Sequence, residues 1–202
     1  MNIGVLGGTF DPIHCGHLSL AEEARVRLEL AEILFVPANQ PWLKVHTLIS
    51  APAHRVEMVR LAIADKPYFK LSTIEIERAG FSYTVDTIAE LQTRLGTGNE
   101  FLFIIGWDSM AELPRWREVA RLIRMCHLVV VPRPGYPRPD LNYLESLIPG
   151  ISQRVTMMDK PQIDISSSDI RSRVARGLSI SHLVPKPVEK YIKQHKLYTI
   201  GH

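Results

Sequence analysis

Short runs of branched and aromatic apolar residues recur along this chain: NIGVL (2–6), EILFVPAN (32–39), EFLFIIG (100–106) and CHLVVVP (126–132). Stretches patterned like helices lie between them. This alternation constrains the fold more than any other feature. Strands that are apolar along their whole length belong in a sheet covered on both faces. Strands separated by helices run parallel, through right-handed crossovers. FKLST (69–73) is a further candidate strand. HLSLAEEARVRLEL places Leu18, Ala21 and Leu28 on one helical face, and HRVEMVRLAIAD places Val56, Val59 and Ile63 at i, i+3, i+7. TVDTIAELQTRL also reads as a helix. The expected fold class is α/β: a Rossmann-like parallel sheet flanked by helices, with a small helical C-terminal end. The 202 residues suit a single domain over 1–202. Pro-rich PRPGYPRPD (132–140) reads as a surface loop, because too little chain follows it for a second core.

Composition narrows the partners. A net charge of +3 fits anionic small molecules as well as nucleic acid, and no block of like charges separates the two. RWREVARLIR is explained by a solvated basic helix face without invoking nucleic acid. The opening MNIGVLGGTF lacks the charged start and long apolar middle of a signal peptide. No apolar run approaches the ~18 residues that span a bilayer. Cys15 and Cys126 are the only cysteines, too few for a disulfide framework. The expectation is a cytoplasmic protein, with no membrane or nucleic-acid partner and with a homo-oligomer left open.

In an open parallel sheet, ligands sit beyond the carboxyl ends of the strands. GGTFDPIHCGH (7–17), PANQPWLK (37–44), GWDS (106–109) and PRPG (132–135) fall at those ends, and ISSSDIR (165–171) opens a late helix. Gly7 and Gly8 lack a Cβ, so backbone there can approach a ligand and adopt positive φ. Gly16 opens a helix whose first N–H groups are unpaired, a ready anion site. His14 and His17 beside it can each donate to phosphate oxygens. The stretch is neither the G-x-G-x-x-G fingerprint nor a P-loop. A zinc site is unattractive, because His14, Cys15 and His17 crowd one turn with no second ligand pair at suitable spacing. In ISSSDIR, Ser166 and Asp169 fit a capping box, and Arg171 can clamp a phosphate. Two helix N-termini with histidines and an arginine suit a polyphosphate such as a nucleoside triphosphate.

GGTFDPIHCGH together with ISSSDIR resembles the nucleotidylyltransferase superfamily, marked by an H-x-G-H pair and a C-terminal I-S-S-x-x-I-R type motif. Within it, the chain is similar along nearly its whole length to the bacterial nicotinate mononucleotide adenylyltransferases. ERAGFSYTVDTIAEL, FIIGWDSMAELPRWREV and VPKPVEKYIKQHKLY carry that narrower likeness. The resemblance implies adenylyl transfer from ATP to nicotinate mononucleotide by direct in-line attack, with Mg2+ carried by ATP and no protein metal site. It implies an ATP site at Gly7, Gly8, Thr9, Phe10, His14, His17, Gly106, Asp108, Ser167, Ser168 and Arg171. Asp108 would hold ribose hydroxyls. Lys44, Arg133 and Arg171 would join the two histidines at the reacting phosphates. Asn39, Lys44, Tyr83, Thr84, Trp116 and Arg133 would hold the acceptor, with Trp116 stacked on the pyridine ring. Ser82 or Thr84 would cap the helix TVDTIAEL, whose N–H groups would receive the nicotinate carboxylate. Two departures stand out: Trp42 and Leu43 precede Lys44 where the family often has P-P-H-K, and Trp107 separates Gly106 from Asp108. Competing readings are an acceptor of nicotinamide mononucleotide or phosphopantetheine, and a nucleotide-binding sensor without turnover.

Overall fold

A computed structural model describes residues 1–41, 49–96, 98–161 and 163–199. Six strands form one parallel sheet: β1 (Asn2–Gly8), β2 (Glu32–Pro37), β4 (Phe69–Leu71), β6 (Glu100–Gly106), β7 (His127–Val131) and β8 (Val155–Met157). Their order across the sheet is β4-β2-β1-β6-β7-β8, and every pairing is parallel. Strand order reverses between β1 and β6, which opens a crevice beyond their carboxyl ends. Two further strands, β3 (Gln40–Pro41) and β5 (Phe81–Ser82), pair in a small parallel sheet of their own.

The apolar runs supply both faces with a period of two. Leu6, Ile33, Phe35, Leu102, Ile104, Val129 and Val131 point into one core. That face is covered by α1 (Cys15–Arg27), α2 (Pro52–Ile63), α8 (Ser167–Ala175) and α9 (Lys186–Gln194). Ile3, Val5, Leu34, Val36, Phe101, Phe103, Ile105, Leu128 and Val130 point into the other. It is covered by α3 (Ile74–Glu77), α4 (Thr84–Leu95), α6 (Val119–Met125) and α7 (Leu141–Leu147), with α5 (Trp107–Ala111) directly after β6. Among the described residues, no helix is long and apolar enough to cross a membrane.

The expected alternation is observed, and α4 and β6 match their predicted spans. Boundaries elsewhere shift. Gly7 and Gly8 are the last residues of β1, and Leu28 is the C-cap of α1. α2 starts two residues earlier than predicted, at Pro52, and buries Arg55, Met58, Val59, Ala62 and Ile63. Its inner face therefore carries an arginine, which a hydrophobic periodicity cannot flag.

Candidate active site

A cleft of about 470 Å³ opens above the β1/β6 switch point. All five segments singled out in the sequence contribute to its wall. They supply Gly7, Gly8, Thr9, Phe10, His14 and His17; Ala38 and Pro41; Gly106 and Asp108; Arg133; and Ser167, Ser168 and Arg171. Lys44, Trp42 and Leu43 lie outside the described residues.

His14 is the N-cap of α1 and is buried, and His17 sits one turn in. The rings stack with centroids 3.7 Å apart and planes 23° apart. The backbone N–H of His14 donates to His17 Nδ1 at 3.3 Å. An accepting Nδ1 leaves the ring proton of neutral His17 on Nε2. Burial, with Arg133 nearby, lowers the His14 pKa to about 4, so this ring is neutral near pH 7. His14 Nδ1 is buried over the first turn of α1 and makes no well-formed hydrogen bond. The neutral His14 ring can thus offer one N–H rather than a full charge.

Gly7 and Gly8 serve a purpose the sequence did not suggest. Neither has a positive φ; Phe10 does, at 50°. A Cβ on Gly8 would lie 3.0 Å from the Phe10 ring, and one on Gly7 3.2 Å from Phe103. The glycines make room for aromatic rings. Phe10 is 2% exposed and presents its ring to His17 (5.0 Å, edge-on) and Phe35, so it backs the histidine from the core side.

At the end of β6, Arg133 Nη1 donates to Asp108 Oδ2 at 2.5 Å, while Asp108 Oδ1 is buried without a partner among the described residues. A Cβ on Gly106 would fall 2.5 Å from that oxygen. Trp107 packs into the second core and is not part of the cleft wall, so this departure from the family pattern does not narrow the site.

The α8 end is tied to the β1 loop. Ser166 caps α8 by accepting from Asp169 N at 3.1 Å. Ser167 Oγ donates to Pro12 O at 2.9 Å, and Arg171 Nη1 donates to Asp11 O at 2.7 Å. Arg171 Nη2 reaches Ser168 Oγ at 3.3 Å.

On the opposite side, Glu75, Ser82, Thr84 and Trp116 line the cleft. Trp116 packs edge-on to Phe103 at 6.1 Å, and its Nε1 is buried without a partner among the described residues. The expected cap is corrected: Tyr83 is the N-cap of α4, and neither Ser82 nor Thr84 caps it with a side chain. The Ser82 hydroxyl instead accepts from Asn39 N at 3.0 Å. The N-cap makes no side-chain hydrogen bond to the first turn of α4, where Asp86 is the acidic residue. Asn39 and Tyr83 are not among the residues lining the cleft. Asn39 Nδ2 donates to Arg78 O at 3.0 Å, and the Tyr83 ring stacks under the Arg117 guanidinium at 4.8 Å. Glu75, whose carboxyl burial pushes upward in pKa, accepts from Thr87 Oγ1 at 2.6 Å. The sequence reading assigned no role to Asp11, Arg55 or Tyr198, though all three lie in segments it quoted, nor to Glu75, which lies outside them; their roles rest on contacts between distant segments.

The family model described as cytidylyltransferase-like matches residues 5–173, and the chain belongs to that family of nucleotidyltransferases. Within it, the relatives are specific. A protein of Dehalococcoides mccartyi (strain 195) named "Probable nicotinate-nucleotide adenylyltransferase" is 49% identical over 198 residues, covering 98% of this chain and 97% of the relative. A protein of Roseiflexus sp. (strain RS-1) with the same name is 47% identical over 97% of each chain. The chain thus falls among the nicotinate-nucleotide adenylyltransferases. The fold agrees with a solved structure of Plasmodium falciparum nicotinic acid mononucleotide adenylyltransferase complexed with NaAD. That structure has a TM-score of 0.78 at 21% identity, with 98% of this chain and 97% of that one covered.

Proposed function

We propose that the cleft above β1 and β6 is where the adenylyl group of ATP passes to nicotinate mononucleotide, giving nicotinate adenine dinucleotide and pyrophosphate. One observation carries this reading: a single cleft brings the stacked His14–His17 pair and the α8 N-terminus to one side, and Trp116 with the first turn of α4 to the other. Relatives at 49% and 47% identity that bear the matching name support it.

The acceptor phosphate is already ionised near pH 7, so the in-line attack on the α-phosphorus needs no general base. Catalysis then rests on placing the two phosphates and on stabilising charge as the pyrophosphate leaves. His14 and His17 offer N–H groups to the phosphate oxygens. Arg133 and Arg171, with Lys44 from the 42–48 segment, supply positive charge. Asp108 Oδ1, buried and unpartnered, suits a ribose hydroxyl. Backbone of Gly7, Gly8 and Thr9 and the start of α8 at Ser167 and Ser168 complete the ATP side.

Trp116 and Thr84 form the acceptor side, with Asn39 and Tyr83 supporting that wall. N–H groups at the start of α4 favour a carboxylate, which nicotinate has and nicotinamide lacks. Mg2+ fits as part of the ATP substrate. The carboxylates in the cleft wall, Asp11, Glu75 and Asp108, already hold separate protein partners, and no three ligand-type side chains cluster among the described residues. Carried on the phosphates, the ion neutralises their charge. Two free cysteines suit a reducing cytoplasm.

The test is pyrophosphate release from Mg–ATP with nicotinate mononucleotide, nicotinamide mononucleotide and phosphopantetheine in parallel. Strong preference for the nicotinate compound is the expected result. Comparable efficiency with the nicotinamide compound would remove the α4 carboxylate site, and release only with phosphopantetheine would overturn the acceptor.

A further inference from the structure

Arg55, on the inner face of α2, heads the fully buried side chains by volume, at 1% exposure. Its guanidinium donates to backbone carbonyls of three connecting segments. Nε reaches Ser50 O at 2.9 Å; Nη1 reaches Thr9 O at 2.9 Å and Ala38 O at 2.6 Å; Nη2 reaches Asn39 O at 3.2 Å. Thr9 directly follows β1 on the ATP side of the cleft. Ala38 and Asn39 follow β2 on the acceptor side, and Ser50 lies just past the 42–48 segment that carries Lys44.

The countercharge is equally buried. Asp11, 3% exposed, accepts Ser50 N at 3.1 Å on one carboxylate oxygen and Tyr198 Oη at 2.7 Å on the other. Burial lowers the Arg55 pKa, and Asp11 and Tyr198 are the charged and titratable groups acting on it. Stability alone is a weak reason to keep such a group, because taking a charge out of water is costly and apolar side chains of similar volume often do as well. What an apolar side chain cannot do is hold four carbonyls from three separate connections at set distances. A guanidinium, planar and with five donors in a rigid fork, can.

We propose that Arg55 is a positioning residue for adenylyl transfer. It sets the spacing between the ATP-side backbone at Thr9 and the acceptor-side backbone at Ala38–Asn39, while Asp11, fixed by Tyr198, positions the Ser50 backbone whose carbonyl accepts Arg55 Nε. The proposal rests on the reading above that the two substrates meet across this cleft. In-line attack tolerates little error, since a shift of about 1 Å can cost about 100-fold in rate. A side chain that touches neither substrate can therefore govern the chemical step.

The experiment compares the wild type, Arg55→Lys and Tyr198→Phe. Single-turnover rates are taken with enzyme in excess over ATP and nicotinate mononucleotide saturating, so that a partly inactive preparation does not distort them. Binding of a non-hydrolysable ATP analogue and of nicotinate mononucleotide is measured separately. Lysine keeps the charge but cannot span four carbonyls, so the rate should fall about 10- to 100-fold. Tyr198→Phe keeps the ring and loses only the hydrogen bond, so it should fold, with a rate loss of about 3- to 10-fold. Each ligand alone should bind within about threefold of wild type, under ~1 kcal/mol, because each half of the cleft keeps its own contacts. Should Arg55→Lys not fold, Tyr198→Phe decides. A wild-type rate in the folded variants would overturn the proposal, as would a rate loss matched by an equal loss of ligand affinity. A wild-type enzyme inert toward nicotinate mononucleotide would instead overturn the functional reading.

Discussion

The backbone N–H of His14 donates to the ring Nδ1 of His17, across 3.3 Å, while the two imidazoles lie stacked 3.7 Å apart. The spacing H-x-G-H is what permits this: two residues separate an N-cap from the N3 position whose side chain folds back over it. Gly16 between them is required by packing, since a Cβ there would lie 2.8 Å from Ile163 and 3.0 Å from His14 Nδ1. His17 is thereby held in one orientation by its Nδ1 and by the stacked His14 ring. Replacing His17 by Ala should lower kcat by about 10²–10³, the order lost with an oxyanion donor. Steady-state turnover near wild type in a folded His17→Ala protein would make the pair structural.

His14 should not titrate in the usual histidine range. Its pKa is lowered from 6.5 to about 4 because burial disfavours the imidazolium. In the folded protein it stays neutral between pH 4 and 6.5, where the unfolded chain takes up a proton. Stability is therefore gained as pH rises through that window and lost as pH falls, by up to about 1.4 kcal/mol per pH unit. An NMR titration of the free protein should show the His14 resonance unmoved down to about pH 5, and His14→Gln should flatten the acid loss of stability. A midpoint near 6.5 would be incompatible with this account.

Gly106→Ala isolates the Asp108–Arg133 pair. The backbone at Gly106 has φ of −81°, which alanine adopts freely, so no backbone strain enters. The added Cβ would sit 2.5 Å from Asp108 Oδ1 and must push the carboxylate out of position. We expect ATP KM to rise about tenfold, corresponding to about 1.4 kcal/mol, with a melting temperature close to wild type. An unchanged ATP KM would show that Asp108 Oδ1 does not meet the nucleotide.

Trp116 should report the acceptor. Stacking on the pyridine ring is worth about 0.5–1.5 kcal/mol, so Trp116→Leu should raise the KM for nicotinate mononucleotide about 2- to 12-fold and leave the ATP KM near its original value. Trp42 and Trp107 also fluoresce, so the Trp116 signal is the difference in quenching between the wild type and Trp116→Leu. Quenching by the acceptor but not by ATP is the expected pattern, and quenching by ATP alone would move Trp116 to the other subsite.

What the sequence determined by itself was whatever is local or periodic. Apolar runs such as EFLFIIG specify strands covered on both faces, because side chains alternate across a pleated strand and both faces must be buried. His14, Gly16 and His17 were legible because one helix turn holds them together, and Ser166 because a cap and its target lie three residues apart. Only the tertiary structure decided what distant segments do to one another. Gly8 is a glycine because of the Phe10 ring, the Ser82 hydroxyl serves Asn39 rather than the start of α4, and Arg55 faces inward because carbonyls from residues 9, 38, 39 and 50 converge on it. Asp11 and Tyr198 lie 187 residues apart in the chain and meet at 2.7 Å. No spacing rule joins such residues, because the contact exists only after the sheet has brought its strand ends together and the last helix has docked.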